Sequence, residues 1–97
     1  MKWIVKFKNK KIEKQAQQLD KRVLLTFQVL VDNLEVYGPA PGKHWHNYGK
    51  LHGKRQGDKR HCHLIKGNPT YVCCWQVFKS DKRIEVYYVG THENAPY

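Results

Sequence analysis

The sequence predicts an α+β domain in the order β-α-α-β-β-β, an antiparallel-rich sheet with two helices packed on one of its faces. Three observations carry that reading. The run Tyr71–Phe78, Tyr-Val-Cys-Cys-Trp-Gln-Val-Phe, stands between Gly67-Asn68-Pro69 and Lys79-Ser80-Asp81-Lys82. A short apolar run bounded by turn residues reads as a buried strand. Runs at 60–66 and 83–90 flank it at hairpin spacing, which makes a meander with 71–78 in the middle. Ahead of the meander, two stretches place apolar residues at helical intervals.

The elements follow in order. Trp3, Val5 and Phe7 alternate with Lys2, Ile4, Lys6 and Lys8 as in a strand. Asn9 offers a cap for a helix over 10–19, whose core stripe is Ile12, Ala16 and Leu19. Asp20 caps a second helix with a wider apolar face, Val23, Leu24, Phe27, Leu30, Val31 and Leu34. Gly38-Pro39-Ala40-Pro41-Gly42 stops it. In the central strand Tyr71, Cys73, Trp75 and Val77 share one face, and Val72, Cys74, Gln76 and Phe78 the other. The Trp75 face is expected against the helices. The Gln76 face is expected to stay partly open and to carry a site.

Residues 1–97 fit one domain with a modest core. A net charge of +10 and 18 Lys and Arg against 8 Asp and Glu point to a polyanionic partner, nucleic acid or an acidic protein. Three cysteines, two of them adjacent, make no disulfide framework and suit a reducing, cytoplasmic setting. The N-terminal apolar run is too short for a signal peptide, and no stretch suggests a membrane span.

Residues 43–59 form a basic, aromatic, glycine-rich stretch that reads as a loop able to hold phosphates while rings stack on bases. Lys54, Arg55, Lys59 and Arg60 are its candidate phosphate ligands, and Trp45 its candidate stacking ring. The alternative is a solvated loop that Trp45 and Tyr48 pin to the core. His44/His46 and His61/His63 are pairs at spacing two, which on a strand share a face and could share a zinc ion. No Cys-x-x-Cys accompanies them, so no metal and no cofactor are expected. Ser80 lies in a turn and the thiols within strands, which leaves no good nucleophile. RNA supplies its own in the 2′-hydroxyl; cleavage then needs only a proton-transfer group and cations. His92, beyond Gly90, and the phenol of Tyr97 suit such a site.

Taken together, the element order, the basic charge, Lys50-Leu51-His52-Gly53, the 71–77 strand and Val89-Gly90-x-His92 closing on Tyr97 resemble the RelE/ParE superfamily of bacterial toxin–antitoxin systems. The resemblance covers nearly the whole chain. It implies a RelE-like fold and, for the RelE branch, ribosome-dependent cleavage of mRNA without a metal. Lys50 and His52 match the basic positions of the family's Lys-Leu-Arg-Gly-like segment, His92 the basic residue after the strand-ending glycine, and Tyr97 the terminal tyrosine. Expected partners are a cognate antitoxin, in a heterotetramer or larger complex, and the ribosome with its mRNA. Two departures stand out: Val72 occupies the place of a strand arginine, and histidine replaces arginine or lysine at His52 and His92. The alternatives are a ParE-like, non-enzymatic inhibitor of DNA gyrase and a basic RNA-binding module without catalysis.

Overall fold

The computed structural model describes residues 2–51 and 57–96. Each helix starts on the cap its sequence offers. The Asn9 side chain accepts the Ile12 N–H at 3.0 Å and opens α1 (Lys10–Gln17). Asp20 accepts the Val23 N–H at 3.1 Å and opens α2 (Lys21–Tyr37). Caps of this kind satisfy N–H groups that the helix itself leaves unpaired. Gly38 ends α2 at φ 87, where its N–H still reaches the Leu34 carbonyl at 2.9 Å. The Trp3 ring packs so near that a Cβ at Gly38 would lie 2.9 Å from Trp3 Nε1. Both the backbone angle and the space therefore require glycine there.

Five strands form one sheet in the order β1-β5-β4-β3-β2, comprising β1 (Ile4–Phe7), β2 (His46–Lys50), β3 (Asp58–Ile65), β4 (Tyr71–Phe78) and β5 (Arg83–Thr91). β1 runs parallel to β5, and every other pairing is antiparallel. The meander and its centre stand as the sequence predicts. One strand does not: β2 arises within the stretch read as a loop. It is an edge strand of sequence His-Asn-Tyr-Gly-Lys, with neither apolar alternation nor β-branched residues. Pairing with β3 creates it, which a propensity scale cannot see.

The helices cover one face. Ile12, Ala16, Val23, Phe27, Leu30 and Leu34 pack with Cys62, Leu64, Cys73, Trp75, Val77, Ile84, Val86 and Val89 in one core. Trp75, Leu30, Leu34 and Ile84 are fully buried, each contributing about 1.5–3 kcal/mol relative to exposure. The Trp75 face thus meets the helices as expected. The opposite face is partly open, as expected. Val72 and Cys74 are fully buried at its centre, while Gln76 and Phe78 remain partly exposed.

Candidate active site

That second face is built from alternation. In β3, Cys62 and Leu64 point into the core, so His61 and His63 point the other way. They lie in register with Cys74 and Val72 of β4. The β5 register slips opposite Cys74 and Trp75: Tyr88 pairs with Cys74 and Val86 with Trp75, leaving Tyr87 as the extra residue. A bulge of this kind re-aims side chains. Here the Tyr87 ring comes under Lys59 Nζ, 5.2 Å from its centroid, and its side chain hydrogen-bonds with that of Cys74.

β2 brings a second irregularity to the same face. Its register with β3 shifts between His46 and Gly49, and Asn47 there has a left-handed φ of 53. Asparagine tolerates that conformation better than most residues. The turn of the chain sets the Asn47 amide nitrogen 3.2 Å from His63 Nδ1 and 3.3 Å from Nε2. Past the end of β5, the His92 N–H donates to the Thr70 carbonyl at 2.7 Å and a single 3-10 turn begins. This holds the His92 imidazole edge-on to His63, with ring centroids 5.3 Å apart and planes at 73°. His61 and His63 stand 6.4 Å apart. His46, opposite His63 in register, completes a face lined by four imidazoles.

Their surroundings oppose charging. Partial burial lowers the pKa of His63 first, and the charges of His92, His61, Lys66 and His46 lower it further. Partial burial also lowers His61, with the charge of His92 adding to it. Both are therefore biased toward neutral imidazole, the form that accepts a proton. The thiols go the other way. Burial pushes Cys62 and Cys74 up to about 12 and Cys73 well above its ordinary value, which leaves no thiolate for nucleophilic chemistry.

A second polar cluster lies on the helix side of the sheet. Arg60 pairs in register with Trp75 and shares its face. Its guanidinium donates to Asp58 through Nε at 3.0 Å and Nη2 at 2.8 Å, and to the Tyr48 hydroxyl through Nη1 at 2.9 Å. Tyr48 in turn stacks near Trp75, with centroids 6.1 Å apart. The hydrogen bond from Arg60 holds the Asp58 carboxyl below its usual range, against the opposing effect of burial.

The sequence-derived site residues are accordingly divided. Lys59 and His92 both lie on the histidine face, Lys59 over Tyr87 and His92 against His63. Arg60 does not: it is 8% exposed, engaged by Asp58 and Tyr48, and on the other side of the sheet from His61 and His63. Lys50 pairs with Arg60 in register, and its exposed ammonium lies 4.0 Å from Asp58, so it belongs to that second cluster. Trp45 needs the plainest correction. It is 7% exposed, packs in the core and donates from Nε1 to Asn33 Oδ1 at 3.0 Å. Its ring anchors the start of β2 to α2 and presents no free face for a base. His52, Lys54, Arg55 and Tyr97 lie outside the described residues. Among the described residues, no group of three or more His, Cys, Asp or Glu is placed to hold a metal ion. No helix among them is long and apolar enough to cross a membrane.

Sequence reasoning left His63, Asn47 and Tyr87 out of the site. The spacing of His61 and His63 was visible as a shared face. Their meeting with His92 and Asn47 depends on strand order and on two bulges, which leave no local signature.

Two helices on one face of a five-stranded, mostly antiparallel sheet form the architecture of a class of small toxins. The chain has the fold of the RelE-like toxins. It is similar over 98% of its length to all of a chain in the crystal structure of the archaeal RelE–RelB complex from Pyrococcus horikoshii OT3, at 27% identity and a TM-score of 0.76. A metal-bound toxin from Helicobacter pylori shares the fold, with 23% identity, a TM-score of 0.61 and coverage of 96% of this chain and 97% of that one. No family model matches the sequence, and no curated protein matches it.

Proposed function

We propose that the protein is the toxin of a toxin–antitoxin pair and inhibits translation by metal-independent cleavage of mRNA on the ribosome. The observation that carries this reading is the placement of His92, fixed by Thr70 against His63 on the basic face of a RelE-like fold. Imidazole exchanges protons near neutral pH, and cations beside it offset the charge that gathers on a phosphorane. Lys59 is a cation already on that face, and His52, Lys54 and Arg55 are further candidates for holding the phosphate, while Lys50 stays with Asp58 and Arg60. Tyr97 orients the nucleotide from the C-terminal end. The 2′-hydroxyl of RNA is the nucleophile, so the chemistry needs no thiol and no metal.

A partner follows from the same likeness. The Pyrococcus structure is a RelE–RelB complex, and a chain of net charge +10 suits an acidic antitoxin segment. Its affinity should weaken as salt rises through the physiological range, because screening acts on such contacts.

A gyrase-inhibiting, non-enzymatic toxin is the second reading, and Val72 favours it. Val72 stands where RelE-like nucleases carry an arginine, and it is fully buried, so the chain offers no cation at that point. Induction without a partner separates the two. The first reading expects translation to fall before DNA synthesis, with mRNA cut on stalled ribosomes. Intact mRNA with an early loss of supercoiling overturns it in favour of gyrase.

A further inference from the structure

We infer that His63 is the proton acceptor of the reaction, paired with His92 as the proton donor. The inference rests on the RNA-cleaving reading above and adds a residue and a division of roles to it. Geometry separates His63 from the other imidazoles. It touches His92, at 5.3 Å between centroids, and stands between His92 and His61. The Asn47 amide lies within 3.3 Å of both its ring nitrogens, held there by a left-handed residue at the β2 bulge. A side chain fixed from two directions is suited to hold one orientation toward a substrate. His46 lies on the edge strand and is exposed, without comparable support.

The chemistry asks for two groups in opposite protonation states. In the forward step the 2′-oxygen bonds to phosphorus as its proton passes to His63. The bond from phosphorus to the 5′-oxygen breaks as His92 gives that oxygen a proton. The products are a 2′,3′-cyclic phosphate and a free 5′-hydroxyl, and solvent resets both imidazoles. Nothing is oxidised or reduced. Adjacent imidazoles favour this arrangement, because a proton on one disfavours a proton on its neighbour. The groups that face His63 are His46 from β2, His61 from β3, Lys66 after it and His92 after β5. All are cationic or become so, and each favours a neutral His63. β4 contributes the uncharged Val72 in register.

The test measures single-turnover cleavage of mRNA on ribosomes, across the pH range of imidazole titration, for the wild type, His63→Gln, His63→Asn and His92→Gln. Both His63 variants should cut roughly 10²–10⁴-fold more slowly and lose the rise in rate with pH that reports the base. His92→Gln should lose the fall at higher pH. A merely structural His63 would leave the shape of the pH profile unchanged. Cleavage by the wild type together with a wild-type rate and profile for His63→Gln overturns this inference alone. A wild type that cuts no RNA overturns the functional reading and this assignment with it.

Discussion

Asp58→Ala should destabilise the protein by about 2–3 kcal/mol, although the residue touches neither the core nor the histidine face. The carboxylate accepts two hydrogen bonds from Arg60, whose side chain is only 10% exposed. Removing it leaves the guanidinium with the Tyr48 hydroxyl as its remaining partner among the described residues. Breaking a fully buried ion pair costs about 3–5 kcal/mol, because the surviving charge is stranded. The Asp58 side chain is 20% exposed, so water can partly rehydrate Arg60, and the lower figure follows. The Lys50 contact at 4.0 Å is exposed and adds little. In a domain of this size each kcal/mol moves Tm by about 4–8 °C, so the variant should melt about 10–20 °C lower at neutral pH. The pH dependence has a definite sign. A carboxyl whose folded pKa is depressed stabilises fully above its unfolded value and loses that contribution as pH falls through the folded value. The gap between wild type and Asp58→Ala should therefore close in acid below the ordinary range of Asp. Thermal melts at neutral and low pH measure both effects. A second variant, Asp58→Leu with Arg60→Met, removes the charges together and should recover much of the loss. If Asp58→Ala melts within about 2 °C of wild type, the Arg60 cluster is hydrated and the reasoning fails.

The remaining predictions concern the imidazoles and Trp45. His61 and His63 have lowered folded pKa values, so the unfolded chain binds more protons below its histidine pKa of about 6.5. Stability should fall as pH drops from there toward the depressed folded values, and His63→Gln should flatten that limb in pH-dependent melts. Trp45→Phe should cost about 1 kcal/mol through the lost bond to Asn33 and leave RNA affinity unchanged. Weaker RNA binding at unchanged stability would return Trp45 to the interface.

What the sequence reveals and what it hides divide along a physical line. Asn9, Asp20 and Gly38 act on backbone groups within a few residues, so both helices are legible with their ends. The run 71–78 is apolar on both faces because it is the central strand, covered by helices on one side and by tyrosines and histidines on the other. β2 is invisible because its strand character is lent by β3, and Arg60 misleads because its charge suggests solvent while Asp58, two residues earlier, draws it against the core side. The site is the extreme case of this non-locality. His63 lies on β3 and His92 just past the end of β5, two strands that β4 separates. Val72, opposite His63 in register, pairs in turn with Gly90, two residues before His92. A Cβ at Gly90 would lie 2.8 Å from the Tyr88 hydroxyl, so glycine there makes room for that phenol, while the small Val72 opposite His63 is fully buried. An arginine at position 72 would place its own cation there. If the RNA-cleaving reading holds, the imidazoles of His63 and His92 would stand in for a guanidinium at position 72. Val72→Arg tests that exchange. It should separate the His63 and His92 rings, and a variant that keeps the ring-to-ring contact in NMR spectra would show that Val72 has no part in it.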